Sequence, residues 1–348
     1  MATYVRQQQI NHNIGPNGRL QIKVTDSDVR VRPIDGDEVR LSAEFEIGAG
    51  SDEEADAVLE AAKLVVSSGS GYLDVRSNED GNLGATIGQW ITGEPGGLGS
   101  AIRHWVTGRP RVELSIEVEA PRGCELRVET VSGDLVVEGM TGEQRFTSVS
   151  GDQYLTDLGG AVRLQTVSGD ATLRANDPIR FRGETVSGDL SVIAPRLEDM
   201  RVSTVSGDLE IEGEPARGGE HRIESVSGDL VFGLVGDATF DVRGIATDIH
   251  ADMPHRVEGR MDRRRVVIGS GEPTVIFSSM SGDISVRHPR RADVRSEQQE
   301  PPAEPATAAG STEAASSSLE VLRALERGEI DVEEASRRLA AHSGSTDA

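Results

Sequence analysis

Apolar and polar residues alternate with a period near two through most of residues 19–288, and one short phrase breaks the alternation at regular intervals. In Leu126-Arg127-Val128-Glu129 and again in Leu135-Val136-Val137-Glu138, Leu and Val recur at alternate positions, as a pleated strand with one buried face requires. Between these runs stands Ser132-Gly133-Asp134, preceded by Thr130-Val131. Gly permits positive φ, while Ser and Asp bond nearby backbone, so the phrase reads as a tight turn. Further copies begin at Ser150, Ser168, Ser187, Ser206, Ser227 and Ser281, the first six copies being spaced by 18, 18, 19, 19 and 21 residues. About 18 residues cannot bury an apolar face alone, so each coil must lie on the next at about 4.8 Å. The predicted fold is all-β: a β-solenoid, a single-stranded, β-helix-like stack of 18–21-residue repeats.

The same alternation organises residues 1–120. Leu20-Gln21-Ile22-Lys23-Val24, Val29-Arg30-Val31-Arg32 and Val39-Arg40-Leu41-Ser42-Ala43 read as strands, with Thr25-Asp26-Ser27-Asp28 as a weaker form of the later turn. Ser51 and Glu54 have capping-box spacing, and Ala55, Val58, Leu59, Ala62 and Val66 share one helical face. A helix over 51–66 is therefore expected to cover an end or side of the solenoid and protect a sheet edge. A strand near residues 72–76 follows, then a Gly-rich insertion at 81–110, and alternation resumes from Val112 to Ala120.

The repeat region is assigned to residues 121–288. The 54 residues between Ser227 and Ser281 equal three periods of 18, which places a turn at Ala246-Thr247-Asp248. Ser270-Gly271-Glu272 is out of phase and is expected to close a hairpin. Residues 289–316, with Pro301, Pro302 and Pro305 among Ala, Ser, Thr, Glu and Gln, have the composition of a disordered linker. A helical hairpin is predicted over 317–342, from the Ser317/Glu320 and Asp331/Glu334 capping pairs and Gly328 between them. Its apolar stripe, including Leu319, Leu322, Leu325, Ile330 and Leu339, is too small for a private core, so a protein partner, a second copy or its own solenoid should cover it.

Composition narrows the function. The net charge of −23 and the lack of a broad basic face argue against nucleic acid, and weaken electrostatic attachment to anionic lipid. Only 3% of the residues are aromatic, which suits a thin core. Both tryptophans lie in the 81–110 insertion, which carries eight glycines and a local charge of about +1 from Glu94, Arg103 and Arg109. Its apolar clusters, centred on Trp90-Ile91 and Trp105-Val106, form the candidate contact surface, either packed on the solenoid or meeting a membrane interface or partner groove.

Cys124 is the only cysteine and reads as a buried structural thiol, so no disulfide framework within the chain is expected. Without a signal-like start or a long apolar run, the expected location is cytoplasmic, with peripheral contact at the inner membrane face as an extension. Gly-x-Ser-x-Gly, Walker and His-Glu-x-x-His signatures are missing, so no catalytic residues and no cofactor are assigned. Asp248, His250, Asp252 and His255 can be drawn as a metal site but lack a complete ligand spacing, and no metal is assigned.

Stacking places Asp134, Asp152, Asp170, Asp189, Asp208, Asp229 and Asp283 in one column. Carboxylates about 4.8 Å apart repel by roughly 1 kcal/mol per neighbouring pair in water. They must be solvent-exposed, held by hydroxyls and turn N–H groups, or bridged by cations. The turn-forming role is favoured over a calcium ladder because the Gly-Gly-x-Gly-x-Asp pattern of calcium-binding rolls is missing.

The Thr-Val-Ser-Gly-Asp-Leu repeats and the Ala120-Pro121-Arg122-Gly123 lead-in resemble the bacterial adhesin-like, or toast-rack, β-solenoid family over residues 19–288. Residues 322–330, followed by Glu333-Glu334-Ala335, resemble the short helical module called SHOCT-like. The first resemblance implies a non-enzymatic scaffold of undefined biochemistry, often linked to envelope-stress systems and membrane-associated assemblies. The expectation is a rod that recruits a protein partner or a second copy through its C-terminal hairpin. The alternatives are a membrane- or peptide-sensing role for residues 81–110, and a surface adhesin.

Overall fold

The computed structural model describes residues 2–78, 112–246, 248–260 and 263–289. The described strands all belong to one hydrogen-bonded sheet, which folds into two walls facing each other across a thin apolar core. One coil shows how. Strand β8 (Glu125–Thr130) lies in the first wall, the Ser132-Gly133-Asp134 turn reverses the chain, and β9 (Leu135–Glu138) lies in the second. Leu126 and Val128 face inward from one wall, Leu135 and Val137 from the other, and all four are buried.

Chain order builds most of the stack. Ahead of this coil come β1 (Ala2–Asn13), β2 (Arg19–Lys23), β3 (Ser27–Ile34), β4 (Glu38–Ala49), α1 (Asp52–Ala62), β5 (Val65–Gly69), β6 (Tyr72–Arg76) and β7 (Val112–Pro121). After it come β10 (Glu143–Ser148), β11 (Gln153–Thr166), β12 (Ala171–Ser187), β13 (Leu190–Ser206), β14 (Leu209–Pro215), β15 (His221–Ser227) and β16 (Leu230–Leu234). Strands β11, β12 and β13 each turn a corner, ending one coil in the second wall and starting the next in the first. All pairing through this region is parallel, with like residues in register: Thr130, Ser148 and Thr166 lie side by side.

At both ends stacking departs from chain order. The coil made by β2 and β3 pairs with β8 and β9 on one side and with β6 and β7 on the other. Residues 1–120 therefore contribute coils to the same stack as residues 121–288, and position 120 marks no boundary in it. At the far end the remaining strands are β17 (Ala238–Ala246), β18 (Ile249–Ala251), β19 (His255–Arg260), β20 (Arg263–Ile268), β21 (Thr274–Ser281) and β22 (Ile284–Arg287). The last coil in sequence, β21 and β22, lies between β15/β16 and β17/β18. Ser281 thus stacks directly on Ser227, so the 54-residue interval does not represent three sequentially stacked coils.

The Ser270-Gly271 turn does not close a hairpin. It carries the chain from β20 across the start of β17 to β21, since β17 pairs with both. The hairpin is β19–β20. The predicted helix is also shorter than 51–66. It begins at the expected Ser51 cap, whose side chain accepts the Glu54 N–H, but ends at Ala62. The backbone of Leu64 is held on both sides by Gln8, donating its N–H to Gln8 Oε1 and accepting from Gln8 Nε2, and Val65 and Val66 then pair with β6. Ala55 is buried, and Val58, Leu59 and Ala62 pack against the core. Arg6 on β1 bonds Asp52 and Asp56, which ties the helix to the end strand. Among the described residues no helix is long and apolar enough to cross a membrane.

Candidate functional site

The turns form a ridge along the stack. Gly133, Gly151, Gly169, Gly188, Gly207, Gly228 and Gly282 all have positive φ, and a Cβ on any of them would collide with backbone of the adjoining coil. Thr130, Ser148, Thr166, Thr204 and Ser279 are buried beneath the ridge, and each hydroxyl donates to the carbonyl two residues on.

The seven predicted Asp residues are brought into one row, and Asp28 and Asp248 extend it at its two ends. Each rung is a backbone N–H donating to a carboxylate of the neighbouring coil. Asp134 N donates to Asp28 at 2.9 Å, Asp152 to Asp134 at 2.9 Å, Asp170 to Asp152 at 3.0 Å and Asp189 to Asp170 at 2.9 Å. The row continues from Asp208 to Asp189 at 2.8 Å, Asp229 to Asp208 at 2.9 Å, Asp283 to Asp229 at 2.8 Å and Asp248 to Asp283 at 2.8 Å. A hydrogen bond to a charged acceptor contributes about 1.5–3 kcal/mol, which offsets the roughly 1 kcal/mol repulsion per neighbour in water. Turn N–H groups thus hold the column. Tyr154, exposed beside it, has its phenol pushed up by the charge of Asp152, with smaller contributions from burial and from Asp134 and Asp170.

Next to the Asp row runs an apolar one. Its residues are covered at Val167, 8% exposed, but open at Val205, Val226 and Met280, which are 49%, 45% and 59% exposed. Trp90, Ile91, Trp105 and Val106 lie outside the described residues. β6 pairs with β2 and β7 with β3, so these two strands stack on the coil made by β2 and β3. Leu319, Leu322, Leu325, Ile330 and Leu339 also lie outside the described residues.

A third row is absent from the sequence-based assignment. On the outer face of the first wall, Arg127, Arg145, Arg163, Arg182, Arg201 and Arg222 pair in register across six successive coils. The signal was present in the repeat, because each arginine stands five residues before the Ser of its turn. At the strand spacing, neighbouring guanidinium groups repel by about 1 kcal/mol in water and several-fold more where water is partly excluded. Flanking acids relieve part of this. Arg127 meets Glu125, Arg163 meets Glu184 at 3.0 Å, Arg201 meets Glu220 and Arg222 meets Glu224 at 2.7 Å. Arg145 and Arg182 have no carboxylate partner among the described residues. Two shallow cavities open on this row. One, of about 250 Å³, is lined by Arg180, Phe181, Arg182, Asp199 and Arg201. The other, of about 380 Å³, extends from Arg182 and Arg201 to Arg222 and Glu224.

The remaining candidates are local. His250 pairs with Asp252 at 2.7 Å, while His255 Nδ1 lies 2.9 Å from the Met253 carbonyl, so the two histidines have separate partners. Among the described residues no three His, Cys, Asp or Glu side chains gather as a metal site. Cys124 is buried, and burial pushes its thiol up to about 12. Asp241, 2% exposed, is held below the usual carboxylate range by Arg263, with support from Arg243.

Comparison with known proteins adds the following. Residues 17–287 match the family described as Toastrack DUF4097. No curated protein matches the chain. A candidate lipid-binding protein from Parabacteroides distasonis aligns at 13% identity over 81% of this chain and 96% of its own, with a TM-score of 0.36. A candidate cell-adhesion protein from Clostridium sporogenes aligns at 10% identity over 81% and 100%, with a TM-score of 0.22. A candidate adhesin from Bacteroides fragilis aligns at 10% identity over 81% and 97%, with a TM-score of 0.26. Nothing further about this chain follows from likenesses of that size.

Proposed function

The chain belongs to the Toastrack DUF4097 family, and on that premise we propose that it is a non-enzymatic interaction scaffold, a solenoid rod that recruits partners or a second copy of itself through residues 317–342. One observation carries this reading: the exposed groups come in rows of like residues, Asp with Asp and Arg with Arg, across successive coils. A catalytic centre needs unlike groups converging on one point, whereas a row of like groups suits an extended partner that makes the same contact many times. Attachment to an envelope-stress assembly fits such a scaffold. Light scattering tests the self-association half. Deletion of residues 317–342 is expected to lower the particle mass, and an unchanged mass rejects association through that segment.

A second reading rests on the composition of residues 81–110, which carry both tryptophans, eight glycines and a local charge of about +1. In that reading Trp90, Ile91, Trp105 and Val106 sense a membrane surface, or an amphipathic peptide, from a peripheral position at the inner membrane face. Because both tryptophans of the protein lie there, fluorescence excited selectively at tryptophan reports on them alone. Emission that shifts to the blue on addition of liposomes supports membrane sensing, and emission indifferent to lipid rejects it.

A further inference from the structure

We propose that the six-arginine row of the first wall is a binding strip for a linear acidic polysaccharide, a chain with one carboxylate per sugar, lying along the solenoid axis. The proposal rests on the non-enzymatic scaffold reading and names the ligand that one of its rows would take.

The register supplies the first argument. Arg127, Arg145, Arg163, Arg182, Arg201 and Arg222 are mutual pairing partners in sequence, so the cationic groups repeat at the strand spacing of about 4.8 Å. An anion seated between two rungs meets two guanidinium groups at once, and the planar fork of each matches a carboxylate. Arg145 and Arg182 are the rungs with cationic capacity to spare, and Arg182 lines both cavities on this face.

The flanks supply the second argument, because they select the shape of the ligand. Glu125, Glu143 and Glu220 border the row on one side, and Glu129, Glu184 and Glu224 on the other. Favourable potential is thereby strongest along the row itself, widened at one rung by Arg180, which pairs with Glu198 at 3.6 Å. A bilayer or a nucleic-acid duplex would lay anionic groups over both acidic flanks, and it would meet a protein of net charge −23. Screening acts within about 8 Å at physiological salt, so a narrow chain on the row feels the arginines before the distant acids. An extended acidic peptide falls out of step, since its side chains on one face recur about every 6.8 Å. A uronate chain carries one carboxylate per ring, a linear charge density of the same order as that of the row, with successive carboxylates turned about the chain axis. Repetition then supplies avidity from individually weak contacts.

The experiment titrates full-length protein with oligogalacturonates of increasing length by calorimetry, using the methyl-esterified oligomer, inorganic phosphate, single-stranded DNA and phosphatidylglycerol vesicles as comparators. Affinity is expected to rise with oligomer length and level off once the chain matches the six rungs, and to vanish on esterification. Arg145→Gln and Arg182→Gln are each expected to weaken binding about tenfold, as loss of one charge-assisted contact implies, while Arg174→Gln on the other wall leaves it unchanged. Length-independent binding, equal binding of the ester, tighter binding of DNA or vesicles, or indifference to both row variants overturns the proposal. Sizing the oligomer after incubation separates the two readings. A shortened oligomer overturns the non-enzymatic reading and leaves the strip as its substrate site. An intact, unbound oligomer overturns the strip, with the scaffold still to be judged by light scattering.

Discussion

Gly188→Ala is the sharpest test of how the coils are held together. Gly188 has φ +126°, and a Cβ there would lie 2.3 Å from the carbonyl oxygen of Gly169 in the adjoining coil, against an ordinary contact of 3.4 Å or more. Relief requires the coils to part by about 1 Å at this point. The Ser187 N–H to Val167 bond of 2.8 Å and the Asp189 N–H to Asp170 bond of 2.9 Å would then both exceed hydrogen-bond range. One ordinary and one charge-assisted bond are worth about 2–4 kcal/mol together, the lower end applying to an exposed ridge. Positive φ adds about 1–3 kcal/mol of strain for any L side chain. Gly218→Ala isolates that strain, because Gly218 has φ +84° and nothing within 4 Å of a Cβ. Urea unfolding is therefore expected to show Gly188→Ala more destabilised than Gly218→Ala by about 2 kcal/mol or more, the cost of the lost bonds alone. Hydrogen exchange should quicken at Ser187 and Asp189, since a stacked array can open locally. Equal costs for the two variants would refute the close-approach argument.

Other outcomes follow from single groups. Difference titration of wild type against Tyr154→Phe should show the Tyr154 phenol ionising above its ordinary value; Asp152→Asn should bring it down, and an unmoved titration would mean the charge of Asp152 is not its cause. Cys124, with its thiol pushed up to about 12, should ignore Ellman's reagent at pH 8 in the folded protein and react on unfolding in urea; a native-state rate like that of a free thiol contradicts its burial. Asp241 has a folded-state value below that of the unfolded chain. Its contribution to stability is thus fully present above the ordinary carboxylate range and is lost as pH falls through the depressed value. Asp241→Asn should flatten the acid limb of the stability–pH curve, and an unaltered limb assigns acid sensitivity elsewhere. Ser51→Ala should cost about 1 kcal/mol by removing the acceptor for the Glu54 N–H, checked by the shift in urea midpoint.

The alternation of Leu and Val with polar residues determined which face of each strand is buried, because a pleat sends successive side chains to opposite sides. The Ser-Gly-Asp phrase determined the turns, because only glycine combines positive φ with backbone contact to the next coil. The arginine row was also written there, at a constant offset from each turn, although its meaning depends on what lies beside each rung. Register decides that Glu184 serves Arg163 and that Arg182 is left without a carboxylate among the described residues. Helix α1 ends early for a reason no local pattern carries, the bonding of Leu64 by Gln8 from a strand more than fifty residues upstream. Stacking order, too, belongs to tertiary structure. Coils of the same pattern are nearly interchangeable as neighbours, and the entropy of closing a longer loop grows only slowly with its length. Periodicity therefore specifies that β21 and β22 form a coil, whereas only the completed sheet decides that this coil lies between β15/β16 and β17/β18.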